Sequence, residues 1–306
     1  MDNQYNTIIK NILDNFVKLK YKEKVLLVND HKDNTVFDAF KFVLSQRNIF
    51  FKEVLITENR NNSSPIPEIR EDLLWADVII APTNKSITHS LETIEAVKLG
   101  KRIVTLPGIT EEVFLKIANS NFDEMWKINK KLILYLKEKD IINIKTPHGT
   151  DINFSIKERS WDGLQPDTSK GFARNLPTGE VYCAPIEETA NGKIVFDYWG
   201  DKISPRDNAW IEIKDGKIVK WSKSAEQFIK QHSVENGLIT AEFGIGTNKA
   251  HRFPIGNILH DEKIYGTVHI AFGNNVSFGG KNKSPVHSDI ILVNPRVLVD
   301  GKRLDW

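Results

Sequence analysis

Residues 24–56 read KVLLVNDHKDNTVFDAFKFVLSQRNIFFKEVLI, and they decide the fold of the first half. KVLLV at 24–28 is a short unbroken apolar run, as expected of a strand buried on both faces. TVFDAFKFVLSQ at 35–46 repeats its apolar residues at helical spacing. FKEVLI at 51–56 returns to a strand. Working outward, the polar stretch NRNNSSPIP leads to a short helix near Glu68–Leu74, then DVIIA at 77–81 gives a third strand. A helix follows over Ser90–Leu99 and a fourth strand over Arg102–Leu106. This alternation predicts a parallel sheet covered by helices. Asn29-Asp30 and Pro82-Thr83-Asn84 then fall at the carboxyl ends of strands, where open α/β sheets form their crevices. In LPGITEE at 106–112, Thr110 is placed to cap a helix.

Residues 120–139 predict a long helix with Met125, Ile128, Leu132 and Leu136 on one face. From Ile141 onward the pattern changes to short β-rich runs separated by turns such as PTGE, ANGK, KDGK and VDGK. One helix is expected near Ser224–Asn236. The expected organisation is an α/β domain over residues 1–140 and a β-rich α+β metal-binding catalytic domain over 141–306.

The 42 basic and 40 acidic side chains nearly cancel, which gives no electrostatic ground for a nucleic-acid partner. A single cysteine, Cys183, leaves no internal disulfide and points to a reducing compartment. The first residues lack the basic and apolar regions of a secretory leader, and no apolar run is long enough to span a membrane. The expectation is a cytoplasmic protein with neither nucleic acid nor membrane as partner.

The chemistry concentrates in the second half. In VHSDII at 286–291, His287 and Asp289 are two apart, so a strand points both to one face. His269 sits in GTVHIAFG at 266–273, an apolar run in which an unpaired ring is costly. Two imidazoles and a carboxylate suit Zn, Fe, Co or Mn. Glu180, after the PTG turn, and Glu242, in ITAEFGIG, are further carboxylates among apolar and glycine neighbours. A buried carboxylate requires a cation or strong donors. Cys183 has no adjacent base and reads as a packing residue. His148 reads as a turn residue, and His89 as a candidate substrate contact.

NLPTGEVYCAP at 175–185, TANG at 189–192, EFGIG at 242–246, HIAFG at 269–273 and HSD at 287–289 resemble the metallo-aminopeptidase family of aminopeptidases T and S. SITHS at 86–90, LPGITEE at 106–112 and GTD at 149–151 resemble its shorter relatives, which include the non-haem iron enzyme that opens the ring of 2,5-dihydroxypyridine. The resemblance implies metal ligands at Glu180, Glu242, His269, His287 and Asp289, with two ions of Zn, Co or Mn. It implies an aminopeptidase or related amidase acting on a short peptide or small amide, with Glu180 bridging the ions or taking a proton. It also implies a homodimer. The ring-opening relative implies the alternative, one Fe(II) on His269, His287 and Asp289 and a dihydroxylated aromatic substrate. The aminopeptidases carry a tyrosine seven residues after the first histidine, and here that position is Val276.

Overall fold

The computed structural model describes residues 3–62 and 64–306. In chain order the first elements are α1 (Asn3–Asn11), β1 (Val25–Asn29), α2 (Thr35–Gln46), β2 (Phe51–Leu55), α3 (Arg70–Trp75) and β3 (Val78–Ala81). Then come α4 (Leu91–Lys98), β4 (Arg102–Thr105), α5 (Glu111–Lys116) and α6 (Phe122–Leu136). Strands β5 (Ile141–Lys145), β6 (Asp151–Ser155), β7 (Phe172–Asn175), β8 (Glu180–Cys183), β9 (Asn191–Val195), β10 (Trp210–Lys214) and β11 (Lys217–Trp221) follow. The chain ends with α7 (Glu226–His232), β12 (Thr240–Gly246), α8 (Ile258–Asp261), β13 (Val268–Gly273), β14 (His287–Leu292), β15 (Arg296–Val299) and β16 (Lys302–Arg303).

The chain forms two compact units, one of residues 1–122 with 165–178, the other of 123–164 with 179–306. The first holds a five-stranded sheet of order β2-β1-β3-β4-β7, parallel throughout. All five residues of β1 are buried, which is why its sequence is a continuous apolar run. Helix α2 starts where Asn34 accepts a hydrogen bond from the Phe37 amide. Ser90 does the same for Thr93 at α4, and Thr110 for Val113 at α5. The core of this unit includes Leu26, Val28, Ile79 and Ile103 from the strands and Leu73 and Ala96 from the helices.

The second unit holds two antiparallel sheets. One has seven strands in the order β11-β10-β9-β6-β5-β15-β16, the other four in the order β14-β13-β12-β8. Ile142, Ile144, Ile152 and Ile194 from the larger sheet share one core with Val181, Phe243, Ile270 and Ile290 from the smaller. Leu132, Ile133 and Leu136 of α6 belong to that core.

The fold class is as expected, but the boundary at residue 140 differs in two places. Helix α6 falls with the second unit from Asp123 onward, because its apolar stripe packs on that unit's core. Residues 165–178 return to the first unit, because β7 adds to the edge of the parallel sheet beside β4, with Phe172 opposite Arg102. An amphipathic helix does not encode which core it covers, and a four-residue strand lacks the length to declare a parallel partner.

Candidate metal centre

The four-stranded sheet builds the site. Its register sets Glu180 opposite Gly246, His269 opposite Gly244, Asp289 opposite Ala271 and His287 opposite Gly273. Side chains two apart share a face, and residues directly opposite share it too. Glu180, Glu242, His269, His287 and Asp289 therefore all project from one face, and the positions between them are glycine or alanine. The small residues are a steric requirement. A Cβ on Gly244 would lie 2.0 Å from Nε2 of His269, so the imidazole rests where any other residue would put its side chain.

The five predicted residues converge. Nε2 of His269 lies 3.3 Å from Glu242 Oε1 and 3.4 Å from Glu180 Oε2. Nε2 of His287 lies 3.2 Å from the other Glu242 oxygen and 3.7 Å from Asp289 Oδ1. Glu242 thus spans the two rings. Single donor atoms of Glu242, His269 and Asp289 lie within 4.8 Å of one another. His269 is wholly buried, while the His287 side chain is 31% exposed and forms the open side. His287 donates its Nδ1 proton to the Asn274 carbonyl at 2.7 Å. That bond fixes the ring and leaves Nε2 as the donor atom for a cation when the ring is neutral.

The electrostatics match a place built for positive charge. Burial alone lowers the His269 pKa, but the hydrogen bond with Glu242 and the charges of Glu180 and Asp289 outweigh it and raise the value to about 9. His287 is likewise driven well above the usual histidine range against its burial, by Asp289 and Glu242. Burial opposes ionisation of Asp289, yet His287 and His269 hold it well below the ordinary carboxylate range. In the metal-free cluster, protons on the imidazoles balance the carboxylates. Glu180 Oε2 is buried and accepts no hydrogen bond. Buried carboxylate oxygens without donors, facing imidazole nitrogens, are the donor set of a divalent metal.

Two charged residues absent from the sequence reading complete the cluster. The Lys263 ammonium donates to Glu180 Oε1 and to Glu262 Oε1. Glu262 also lies with Glu180 and His269 in a group whose donor atoms approach within 4.8 Å. Burial, with Glu180 and Asp289 adding to it against Lys263, raises the Glu262 carboxyl to about 8. The run Asp261-Glu262-Lys263 directly before the His269 strand was the available signal, since three charges adjoining an apolar run require partners.

Val276, in a short 3₁₀ turn over Val276–Phe278, is 51% exposed. Two residues on, the Phe278 ring meets His287 edge-on at 5.9 Å and Tyr182 at 5.5 Å. Cys183 is wholly buried in the core, in keeping with a packing role. His148 leaves the β5–β6 turn to pair with the buried carboxylate of Asp197. Among the described residues no helix is long and apolar enough to cross a membrane.

The chain is 26% identical over 254 residues to 2,5-dihydroxypyridine 5,6-dioxygenase of Pseudomonas putida, covering 74% of this chain and 69% of that protein. The solved structure of that dioxygenase superposes with a TM-score of 0.77 at 17% identity, over 98% of this chain and 94% of the other. AmpT from Thermus thermophilus superposes with a TM-score of 0.70 at 16% identity, over 98% and 96%. At these identities the structural matches speak for the fold. The profile of the family described as thermophilic metalloprotease (M29) covers residues 118–305, which include the whole of the four-stranded sheet and its cluster, and the chain belongs to that family.

Proposed function

We propose that this protein is a metal-dependent hydrolase that cleaves an amino-terminal peptide bond or a similar small amide. The observation that carries the reading is the pair of glutamates: Glu180 and Glu242 stand in the same cluster as the two histidines and Asp289. A single-ion triad does not require them. Glu242, His269, His287 and Asp289 would hold the metal, with the free oxygen of Glu180 turned towards the same place. A divalent ion there would polarise a carbonyl and lower the pKa of a bound water towards ~7. Glu180 Oε2, buried and free of any protein donor, would be the residue oxygen available to accept a proton beside the metal. The open side at His287, bordered by Phe278 and Tyr182, is where a short substrate enters. Zn, Co and Mn all suit the donor set.

A second reading has its own support. Val276 brings no hydroxyl to the site, and the Pseudomonas putida relative is a dioxygenase. One Fe(II) on His269, His287 and Asp289 would then serve ring opening of a dihydroxylated aromatic. The deciding experiment offers aminoacyl amides and short peptides to the Zn, Co and Mn forms. It also records oxygen uptake with dihydroxylated aromatics and pyridines under ferrous conditions. Intact amides in every metal form, together with oxygen uptake, would reverse the order of the two readings.

A further inference from the structure

We propose that Lys263 is a positioning residue of the metal centre: its ammonium pins one oxygen of Glu180 and thereby aims the other at the cation position beside His269. The inference rests on the reading above in which Glu180 faces the metal, and it is read out as metal affinity, apart from any activity.

The Lys263 side chain is only 5% exposed, and its charged partners are Glu180 and Glu262. Its backbone is fixed at both ends. The Lys263 amide donates to the His260 carbonyl at 3.1 Å, and its carbonyl accepts from the Asn248 amide at 2.9 Å. The Glu180 backbone is fixed independently. Asn129 donates through Nδ2 to the Glu180 carbonyl at 2.9 Å, and is itself held by Thr247 at 2.6 Å. With both backbones fixed, the ammonium determines where the Glu180 carboxylate turns. Oε1 is occupied by Lys263, and Oε2 is left buried, unbonded and 3.4 Å from His269 Nε2.

The choice of lysine follows from the charge around it. Glu180 with Glu262, and Glu242 with Asp289, each gather around His269; the second pair is buried and the first nearly so. Four carboxylates repel, and without a fixed cation Glu180 and Glu262 would turn apart or take up protons. A compact ammonium can serve two single oxygens on different side chains, whereas the planar arginine fork suits both oxygens of one carboxylate. Lys263 also engages one oxygen of Glu262, which keeps that carboxylate on the lysine side of the cluster.

The test reads zinc affinity of the full-length, metal-stripped protein against a competing chelator, so it needs no substrate. Lys263→Met should weaken zinc binding about 10–100-fold, the range for loss of a group that orients a ligand. Glu180→Gln should weaken it as well. Since both act through the same oxygen, the double variant should be no weaker than the worse single one, within about threefold. Lys263→Arg keeps the charge with different geometry, and should recover the fold but only part of the affinity. Should Lys263→Met fail to fold, Lys263→Arg decides the matter through the same measurement. Undiminished zinc affinity in either variant would overturn the proposal, as would losses that multiply in the double variant. An additional zinc ion per chain in Lys263→Met would also overturn it, by showing that the ammonium occupies a metal position.

Discussion

Each unit of this protein buries acidic side chains near the ends or across the face of its sheet, and the two clusters are opposites. In the parallel sheet, Asp30 follows β1 and its side chain is wholly buried. Its oxygens accept from the Asn84 amide at 2.8 and 2.9 Å, from the Lys85 amide at 3.4 Å, and from His31 at 2.7 Å. Arg60 lies 3.7 Å away. β1 is flanked by β2 and β3, so this is the switch point where doubly wound sheets commonly receive a ligand. Here the protein's own carboxylate fills that place. In the antiparallel sheet, three carboxylates face two imidazoles, and Glu180 Oε2 has no donor. Burial of charge therefore does not identify a functional site by itself. The distinction lies in whether donors already in the fold saturate the charge.

The contrast breaks first at the metal. His287→Ala or Asp289→Ala should reduce metal retained through gel filtration to background, a loss above ~100-fold, because removing a ligand exceeds removal of a group that orients one. Metal content per chain by elemental analysis checks this, and full occupancy in either variant would show that the cluster is structural. Gly244→Ala should be almost as severe without altering any charge. Its Cβ would stand 2.0 Å from His269 Nε2, so the ring must leave its position. Normal metal content in that variant would mean that His269 is not a ligand. Glu180→Gln separates the chemistries: amide hydrolysis should fall at least ~100-fold, whereas ring opening on a His269–His287–Asp289 iron would persist in part.

How much of this contrast was legible in the sequence depends on the range of the interaction. Helix α2 occupies the interval its periodicity defines, and strands β1 to β4 follow from apolar runs of local origin. His269, Glu180 and Glu242 were visible as lone polar groups among apolar and glycine neighbours, His287 and Asp289 as a pair on one strand face, and the family resemblance joined the five. The structure brings all five together. Lys263 showed only as one charge in Asp261-Glu262-Lys263, and the residue that explains its burial, Glu180, is 83 positions away. The same distance effect hid the Asp30 network. Its principal donors are the backbone amides of Asn84 and Lys85, which no side-chain pattern announces.

Titration sharpens the contrast next. In the metal-free fold the His269 pKa rises from 6.5 to about 9, through Glu242, Glu180 and Asp289 acting against burial. Glu262, Lys263 and His287 are the other charged groups of that cluster. A raised pKa contributes stability that is fully present below pH 6.5 and is lost as pH rises through about 9. Metal ligation requires the neutral ring, so binding below about pH 9 displaces a proton. Between these limits metal-free protein should lose stability with rising pH, while apparent metal affinity climbs by up to ~10-fold per unit for each proton displaced. The gap in Tm between metal-loaded and metal-free protein should accordingly widen from pH 6.5 to 9. A constant gap would mean that the imidazoles are already neutral.

The smallest expected effect lies in the other cluster, where it isolates the meaning of saturation. Asp30→Asn preserves shape but turns an acceptor into a donor. In one orientation its amide faces the Asn84 and Lys85 N–H groups, and in the other it faces Asn84 and His31. Either way a buried N–H confronts another N–H, which costs about 1–3 kcal/mol. Arg60, whose guanidinium is 3% exposed, also loses its nearest negative charge, although its bonds to the Lys85 and Ser86 carbonyls remain. The expected outcome is a lower denaturation midpoint with unchanged metal content and unchanged zinc affinity. A change in zinc affinity would show that the parallel-sheet cluster is energetically coupled to the metal centre. An unchanged midpoint would show that the Asp30 charge contributes nothing to the sheet it fills. Neither outcome is expected of a carboxylate whose burial is explained by the donors around it.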